Sequence, residues 1–384
     1  MRIYMDYQAT TPIDPRVFEA MLPFLSNMFG NPHSSEHVFG WEANAELEKA
    51  SSLIAERLGA ENDEFFFTSG ATESNNIALL GFCEYNQRNS RRKVLTTAIE
   101  HKSVLDVLYA AGKKYDFILD TITVDRQGLV NIDDLLTKVD DKTLLVSVMH
   151  TNNEIGTIQN ISEISKICRK KGAIFHSDAT QGFLAEPPNV HSLGVDMLSF
   201  SGHKIYGPKG VGGLYVRRDL QRKITPRFYG GGQQAGVRPG TVPVHLCCGL
   251  SKAIELMTGV EADDERETVQ QYRNLFVAGL QNAIGNISVN GPHWEHRHPG
   301  NANICFNGVD ASVLLNAIQS TLAASSGSAC SSGQIHGSHV LSGIGLSSDR
   351  VSSSIRFSIG RFTTEHEICQ AVSLVVEAVK KILS

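Results

Sequence analysis

The sequence is poor in every feature that marks a membrane, secreted or nucleic-acid-binding chain. It has no apolar run of about 18 residues, the length that a membrane-spanning helix needs. Its opening, Met1-Arg2-Ile3-Tyr4-Met5-Asp6, lacks the apolar stretch of a secretory signal, so a cytoplasmic chain with no membrane association is expected. Basic residues are not in excess: 35 Lys and Arg face 40 Asp and Glu, a net charge of −5. Phosphate-backbone binding needs clustered Lys and Arg. The basic cluster Arg91-Arg92-Lys93 reads as a solvated turn before a strand, so no direct nucleic-acid binding is expected. Cysteines are seven, an odd number, with Cys247 and Cys248 adjacent and no C-x-x-C pair. That pattern argues against a disulfide framework and a zinc ribbon and leaves reduced thiols. Internal repeats and low-complexity tracts are missing too.

What remains is an ordinary globular composition, 41% hydrophobic and 20% charged over 384 residues. At roughly 150 residues per unit, that length holds two or three domains. Apolar runs of strand length alternate with helical patterns, which predicts an α/β fold with a mainly parallel sheet. Strands are expected at 64–68, 94–98, 144–149, 173–177, 197–200 and 213–217, whose apolar content suits burial on both faces. A helix over 41–58 sets Leu47, Ala50, Ile54 and Leu58 on one face and stops at Gly59. Thr364 and Glu367 form a capping box ahead of a stripe of Ile368, Val372, Val375 and Val379. The charged stretch 261–267 lies between two helical patterns and predicts a change of domain near residue 259. Strands at 302–307 and 354–358 then belong to a smaller α+β unit. The expected division is 15–258 for the large domain and 1–14 with 259–384 for the small one.

Three motifs sit at the ends of expected strands. Lys204, in Ser201-Gly202-His203-Lys204-Ile205-Tyr206-Gly207-Pro208-Lys209-Gly210, is placed to form a Schiff base with an aldehyde cofactor once desolvation or a nearby cation lowers its pKa. Residues 65–76 read as strand, small-residue turn and helix, so backbone N–H groups and Thr72 can hold a phosphate; the turn is neither a Walker loop nor G-x-G-x-x-G. Asp178, at the end of 173–177, stands where ligands of open α/β sheets bind and could keep a pyridinium nitrogen protonated. A surface turn, a helix cap and a capping Asp would explain each motif separately. Together, a phosphate cup, an acid and a lysine are one set of needs, those of pyridoxal 5'-phosphate.

The ordered motifs Tyr4–Pro12, Gly30-Asn31-Pro32, Thr68–Asn76, Glu100-His101-Lys102, Asn152–Gly156, Asp178–Gln181, Ser201–Gly210, Arg238-Pro239-Gly240-Thr241, Ser325–Cys330 and Ile355–Ser358 run nearly end to end. On them the chain resembles the cysteine desulfurases of the iron–sulfur-cluster and nitrogenase type, fold-type-I pyridoxal-phosphate enzymes. The resemblance implies a large domain with a mainly parallel seven-stranded sheet, a smaller α+β domain, and a homodimer. It implies that Lys204 holds the cofactor covalently and that Asp178 pairs with the pyridine nitrogen. Gln181 and Asn153 would bond the phenolic oxygen and the substrate side, and His101 would stack on the ring and move protons. Ala71, Thr72, Ser201 and His203 would surround the phosphate, with Thr241 reaching it from the second subunit. Arg356 would take the substrate carboxylate as a bidentate fork.

Sequence context points to one reactive thiol. Cys83, Cys168 and Cys369 lie in helical patterns, Cys305 lies in a strand, and Cys247 and Cys248 lie among leucines; all read as core or helix-face thiols. Cys330 sits among Ser, Gly and Ala in 325–333, with almost nothing to bury, in a segment expected to carry it between cofactor and acceptor. The run His293-Trp294-Glu295-His296-Arg297-His298 reads as a polar loop rather than a metal site, and His336 and His339, just after the reactive segment, as solvent contacts that could alternatively tune it.

The expected activity is therefore an L-cysteine desulfurase that leaves alanine and a Cys330 persulfide for a sulfur-acceptor protein. Selenocysteine lyases share Arg-Pro-Gly-Thr at 238–241 and are the nearest alternative, although the Cys330 segment resembles the desulfurase branch. A catalytically silent sulfur-transfer scaffold would lack Lys204, Asp178 or Cys330, and all three are present. Pro239, where housekeeping members usually carry Ser, and the absence of a tail beyond Ser384 leave the acceptor open between cluster assembly, tRNA thiolation and DNA phosphorothioation.

Overall fold

A computed structural model describes residues 2–326 and 337–384. After β1 (Ile3–Tyr4), seven strands form the main sheet: β2 (Phe65–Thr68), β3 (Lys93–Thr97), β4 (Ile118–Ile122), β5 (Thr143–Ser147), β6 (Ile174–Asp178), β7 (Met197–Ser201) and β8 (Gly212–Val216). Their order is β2-β8-β7-β6-β5-β3-β4. Only β8 opposes its neighbours. A short connection can join antiparallel strands, whereas parallel ones need a crossover. The β7–β8 connection is the short one, and Lys204 lies in it.

Six of these strands fall where the apolar runs place them. The seventh, β4, was not among the expected strands. It is the sheet edge, and Ile118, Leu119 and Thr121 are exposed, so its composition lacks the apolar run of its buried neighbours. Helix Val38–Leu58 ends on Gly59 at φ 69°, a left-handed cap that glycine adopts without strain. The capping box of Thr364 and Glu367 opens helix Glu365–Leu383.

A second sheet contains β9 (Ile287–Val289), β10 (Asn301–Phe306) and, after β11 (Leu322–Ala323), β12 (Ser354–Ser358), with β10 central and both pairings antiparallel. Helix Glu261–Ile284 packs on it through Phe276, whose ring lies 4.9 Å from that of Phe357. The charged stretch at 261–267 is the start of this helix, which the sequence pattern placed from 269 onward. Glu261, Asp263 and Asp264 occupy its first turn, where the helix dipole favours negative charge. The 293–298 run is less polar in its setting than expected. Arg297 and His298 are buried, and Trp294 lies between the guanidinium groups of Arg273 and Arg297, 4.3 and 5.2 Å away.

One apolar cluster joins the two sheets, including Phe175 and Phe200 of the first and Ile304 and Phe357 of the second. The amino-terminal segment spans them. β1 pairs with β11, Ser358 N–H donates to the Met5 carbonyl, Gln8 N–H to Ser358 Oγ, and Thr11 N–H to the His203 carbonyl. Among the described residues, no helix is long and apolar enough to cross a membrane.

Candidate active site

The parallel strands end around a cavity of about 1020 Å³. Open α/β sheets bind their ligands at this end of the strands. Ten of the twelve expected site residues line it: Ala71, Thr72, His101, Asn153, Asp178, Gln181, Ser201, His203, Lys204 and Arg356. Thr241 is exposed and outside the wall, and Cys330 lies outside the described residues, as does His336.

Asp178 closes β6 and is buried. One carboxylate oxygen accepts from Asn75 Nδ2 at 2.8 Å and the other from Thr180 N–H at 3.0 Å. Two residues earlier on the same strand face, His176 is bracketed by Ser147 Oγ at 2.9 Å and Ser199 Oγ at 3.0 Å. Complete burial takes its imidazole down to about 4, so it is a neutral spacer behind Asp178.

Lys204 ends the turn Gly202–Lys204, and its Nζ donates to the carbonyls of Gln8 at 2.7 Å and Ala9 at 2.6 Å. Beside it, burial first and then Lys204 and Lys209 push the His203 imidazole down to about 4. Across the cavity, the turn after β2 is shaped by Gly70 at φ 148°, which side chains rarely adopt. A Cβ on Gly212 would stand 2.6 Å from Gly70 Cα, so two backbones meet here without side chains. Thr241 follows a segment fastened to this turn: Arg238 Nε donates to Glu73 Oε1 at 3.0 Å, and the Gln234 amide bonds both N–H and C=O of Phe67.

His101 caps helix Lys102–Tyr115, its Nδ1 accepting from Ser103 N–H at 3.1 Å. Burial lowers its pKa, Asp178 opposes that, and Lys204 and His339 reinforce it.

Arg356 reaches in from β12. Nη1 donates to the Asn153 carbonyl at 2.8 Å and Nη2 to Asp6 Oδ1 at 2.7 Å. Gln181 Nε2 donates to the Gln8 carbonyl at 2.9 Å. Asn153 Oδ1 and Thr180 Oγ1, buried at the cavity, have no hydrogen-bond partner.

Several residues here had no role from sequence: Asp6, Gln8, Asn75, Glu100, Ser103, Glu154 and His339. His339 is not a solvent contact. It lines the cavity and its Nε2 donates to the Glu100 carbonyl at 2.9 Å. Glu100 is wholly buried, with one oxygen accepting from Thr97 Oγ1 and Met149 N–H, and burial pushes its carboxyl up to about 8. Glu154, buried and likewise raised by burial, accepts from Ser338 Oγ. Motif positions such as Glu100, Glu154 and Asn75 were visible in the sequence, but their partners were not.

The six described cysteines all lie away from the cavity wall. Cys83, Cys168, Cys247 and Cys305 are buried, and burial pushes the Cys83, Cys168 and Cys248 thiols up to about 12. Cys369 is the helix-face thiol, exposed on the last helix.

Known proteins resemble the chain along nearly its whole length. Residues 3–370 match the model of the class-V aminotransferase family. The chain is 45% identical to the cysteine desulfurase IscS of Rickettsia rickettsii (strain Iowa) over 383 residues, 99% of this chain and 92% of that protein. A solved NifS-like protein superposes with TM-score 0.92 at 35% identity, covering 99% of this chain and all of the other. SspA, solved in complex with cysteine, superposes with TM-score 0.82 at 31% identity over 95% of this chain and 100% of SspA. The chain belongs to the class-V aminotransferase family and, within it, to the cysteine desulfurases.

Proposed function

We propose that this cavity is a pyridoxal-phosphate site that removes sulfur from L-cysteine, with alanine and a persulfide on Cys330 as products. The single observation that carries the reading is the convergence of Asp178, Lys204, His101 and Arg356 on one cavity. The cofactor fits the residues. A buried carboxylate offers the ring nitrogen an acceptor, the orphaned Asn153 Oδ1 and Thr180 Oγ1 await polar partners, and Gly70 leaves room for phosphate against backbone N–H. When bound, the cofactor supplies an electron sink for bonds around the substrate Cα.

The chain's residues have separable tasks in this reading. Lys204 holds the cofactor covalently and exchanges a proton at Nζ. Asp178 keeps the ring nitrogen protonated; His101 covers the ring, and Gln181 and Asn153 orient it. Ala71, Thr72, Ser201 and His203 surround the phosphate. Arg356 binds the substrate carboxylate with the Nη hydrogens not given to Asp6 and Asn153. The balance is cysteine plus the Cys330 thiol giving alanine plus the Cys330 persulfide, with no outside oxidant. An iron–sulfur, tRNA-thiolation or DNA-phosphorothioation protein then takes the sulfur. SspA, a relative solved with cysteine, supports this substrate.

A second copy completes the site. Phe18, Leu22, Leu25, Phe29, Phe39 and Trp41 are exposed, as suits an interface, and the pairing brings in the partner's Thr241. Borohydride reduction followed by peptide mapping tests the centre. Label is expected on Lys204, and label on Lys209 or on no lysine overturns the assignment. Cys330→Ser should keep the cofactor and make no persulfide. Turnover of L-selenocysteine far above L-cysteine would favour a lyase. Co-expressed Lys204→Ala and Thr241→Glu should regain activity only if the site is shared.

A further inference from the structure

We propose that Ser103 and Asn75 are positioning residues that hold His101 in one neutral tautomer, with its proton on Nε2, through a one-way chain of hydrogen bonds starting at Asp178. The inference rests on the proposed role of His101 at the cofactor, but its geometry lies within one subunit. Asp178 Oδ2 accepts from Asn75 Nδ2 at 2.8 Å, and the same amide nitrogen lies 2.9 Å from Ser103 Oγ. Its two hydrogens therefore serve Asp178 and Ser103. Turning the amide over would point Oδ1 at the carboxylate, and Oδ1 has no partner where it is.

Having accepted from Asn75, Ser103 Oγ has its own proton to give, and His101 Nδ1 stands 2.8 Å away. The Ser103 backbone N–H also points at Nδ1, at 3.1 Å. Two donors aimed at one ring nitrogen require a lone pair there, so the proton of the neutral ring sits on Nε2. Adding a second proton at Nδ1 would break the cap of helix Lys102–Tyr115 and force the serine hydroxyl to give its own proton to another acceptor. The groups facing His101 are Asp178 at the end of β6, Lys204 after β7, His339 of helix His339–Gly343, and Asp106 on its own helix. The carboxylates favour a charged ring; Lys204, His339 and burial oppose it, and the net direction is downward.

The consequence is a histidine that offers an N–H rather than a lone pair to whatever lies beside it, and stays so as the solution is acidified. Nitrogen-15 histidine NMR of the full-length, cofactor-loaded protein tests this, with the His101 signal identified by its loss in His101→Gln. The expected result is a protonated Nε2 and an unprotonated Nδ1. Ser103→Ala should raise the titration midpoint by roughly 0.5–1 pH unit, one unit being a tenfold change in proton affinity. Ser103→Thr should restore it. In turnover, Ser103→Ala should lower kcat several-fold and move its acid limb upward while KM for cysteine holds. A proton on Nδ1 in the wild type, or an unmoved midpoint in Ser103→Ala, overturns the proposal. Alanine release by the wild type is measured in parallel, so that a failed desulfurase reading shows as absent product whatever the ring nitrogens report.

Discussion

The two halves of the cavity are built in different ways. On the side proposed to hold the ring, Asp178 ends a strand of the main sheet, while Asn75, Ser103 and His101 lie on turns and helices that leave it, and their contacts span 2 to 103 residues of sequence. On the side proposed to hold the substrate, Arg356 meets Asn153 and Asp6 across 203 and 350 residues, Ser338 meets Glu154 across 184, and His339 meets Glu100 across 239. The first half is set largely by each strand's own turn. The second exists only when both sheets are in place. Damage to the first should therefore show as lost cofactor chemistry, and damage to the second as lost substrate handling.

The largest effect is expected from Asp178→Ala. Breaking a buried charged pair costs about 3–5 kcal/mol, more than a hundredfold in cofactor affinity by absorbance titration. Unchanged affinity would move the ring-nitrogen partner elsewhere. Arg356→Lys should act on the other half alone. Losing a planar fork to a charged partner costs about 1.5–3 kcal/mol, read as a KM for cysteine raised at least tenfold with the cofactor spectrum intact. A rise in KM matched by loss of cofactor would erase the contrast between the halves.

Glu100 joins the halves, its carbonyl held by His339 and its carboxyl by Thr97 and Met149. The carboxyl is raised from 4.5 to about 8, so the folded protein keeps a proton that the unfolded chain releases between those values. Stability from this source is present below the lower value and is lost as pH rises through the upper one. Glu100→Gln should thus gain on the wild type in thermal midpoint as pH climbs from 4.5 to 8, then level off. Buried His150 and His176, held near 4, weaken the fold on acidification in both proteins and cancel in that difference. A constant difference across the range would mean that Glu100 is ionised throughout. The smallest effect belongs to Ser338→Ala. Ser338 caps helix His339–Gly343 by accepting from Leu341 N–H, and its loss should cost about 1 kcal/mol of stability with cofactor affinity unchanged.

The same contrast explains what could be read from sequence. Strand-end turns such as Thr68–Asn76 and Ser201–Gly210 are local, and their small residues, Lys204 and Asp178 announce the ring side. The Arg356–Asp6 pair and the His339–Glu100 bond depend on register between distant segments, which no local pattern encodes. β4 escaped because an edge strand need not be apolar on both faces, and the acidic stretch at 261–267 was not read as helix because a helix start favours negative charge over an apolar stripe. Arg297 looked solvent-bound because the Ile155 carbonyl comes from 142 residues away, and the nearby carbonyls of Asn290 and Pro292 and the side chain of Asn301 meet it only once the loop has folded round it.

The amino-terminal segment also carries a consequence for biosynthesis. Gln8 bonds Ser358 across 350 residues, and the Gln8 and Ala9 carbonyls hold Lys204. On a ribosome adding about 5–20 residues per second, those first residues wait roughly 20–70 s for their partner strand. The main sheet can assemble while translation continues, yet the lysine's cradle closes last. On the proposed reading of Lys204, cofactor capture would wait until residue 358 has been made.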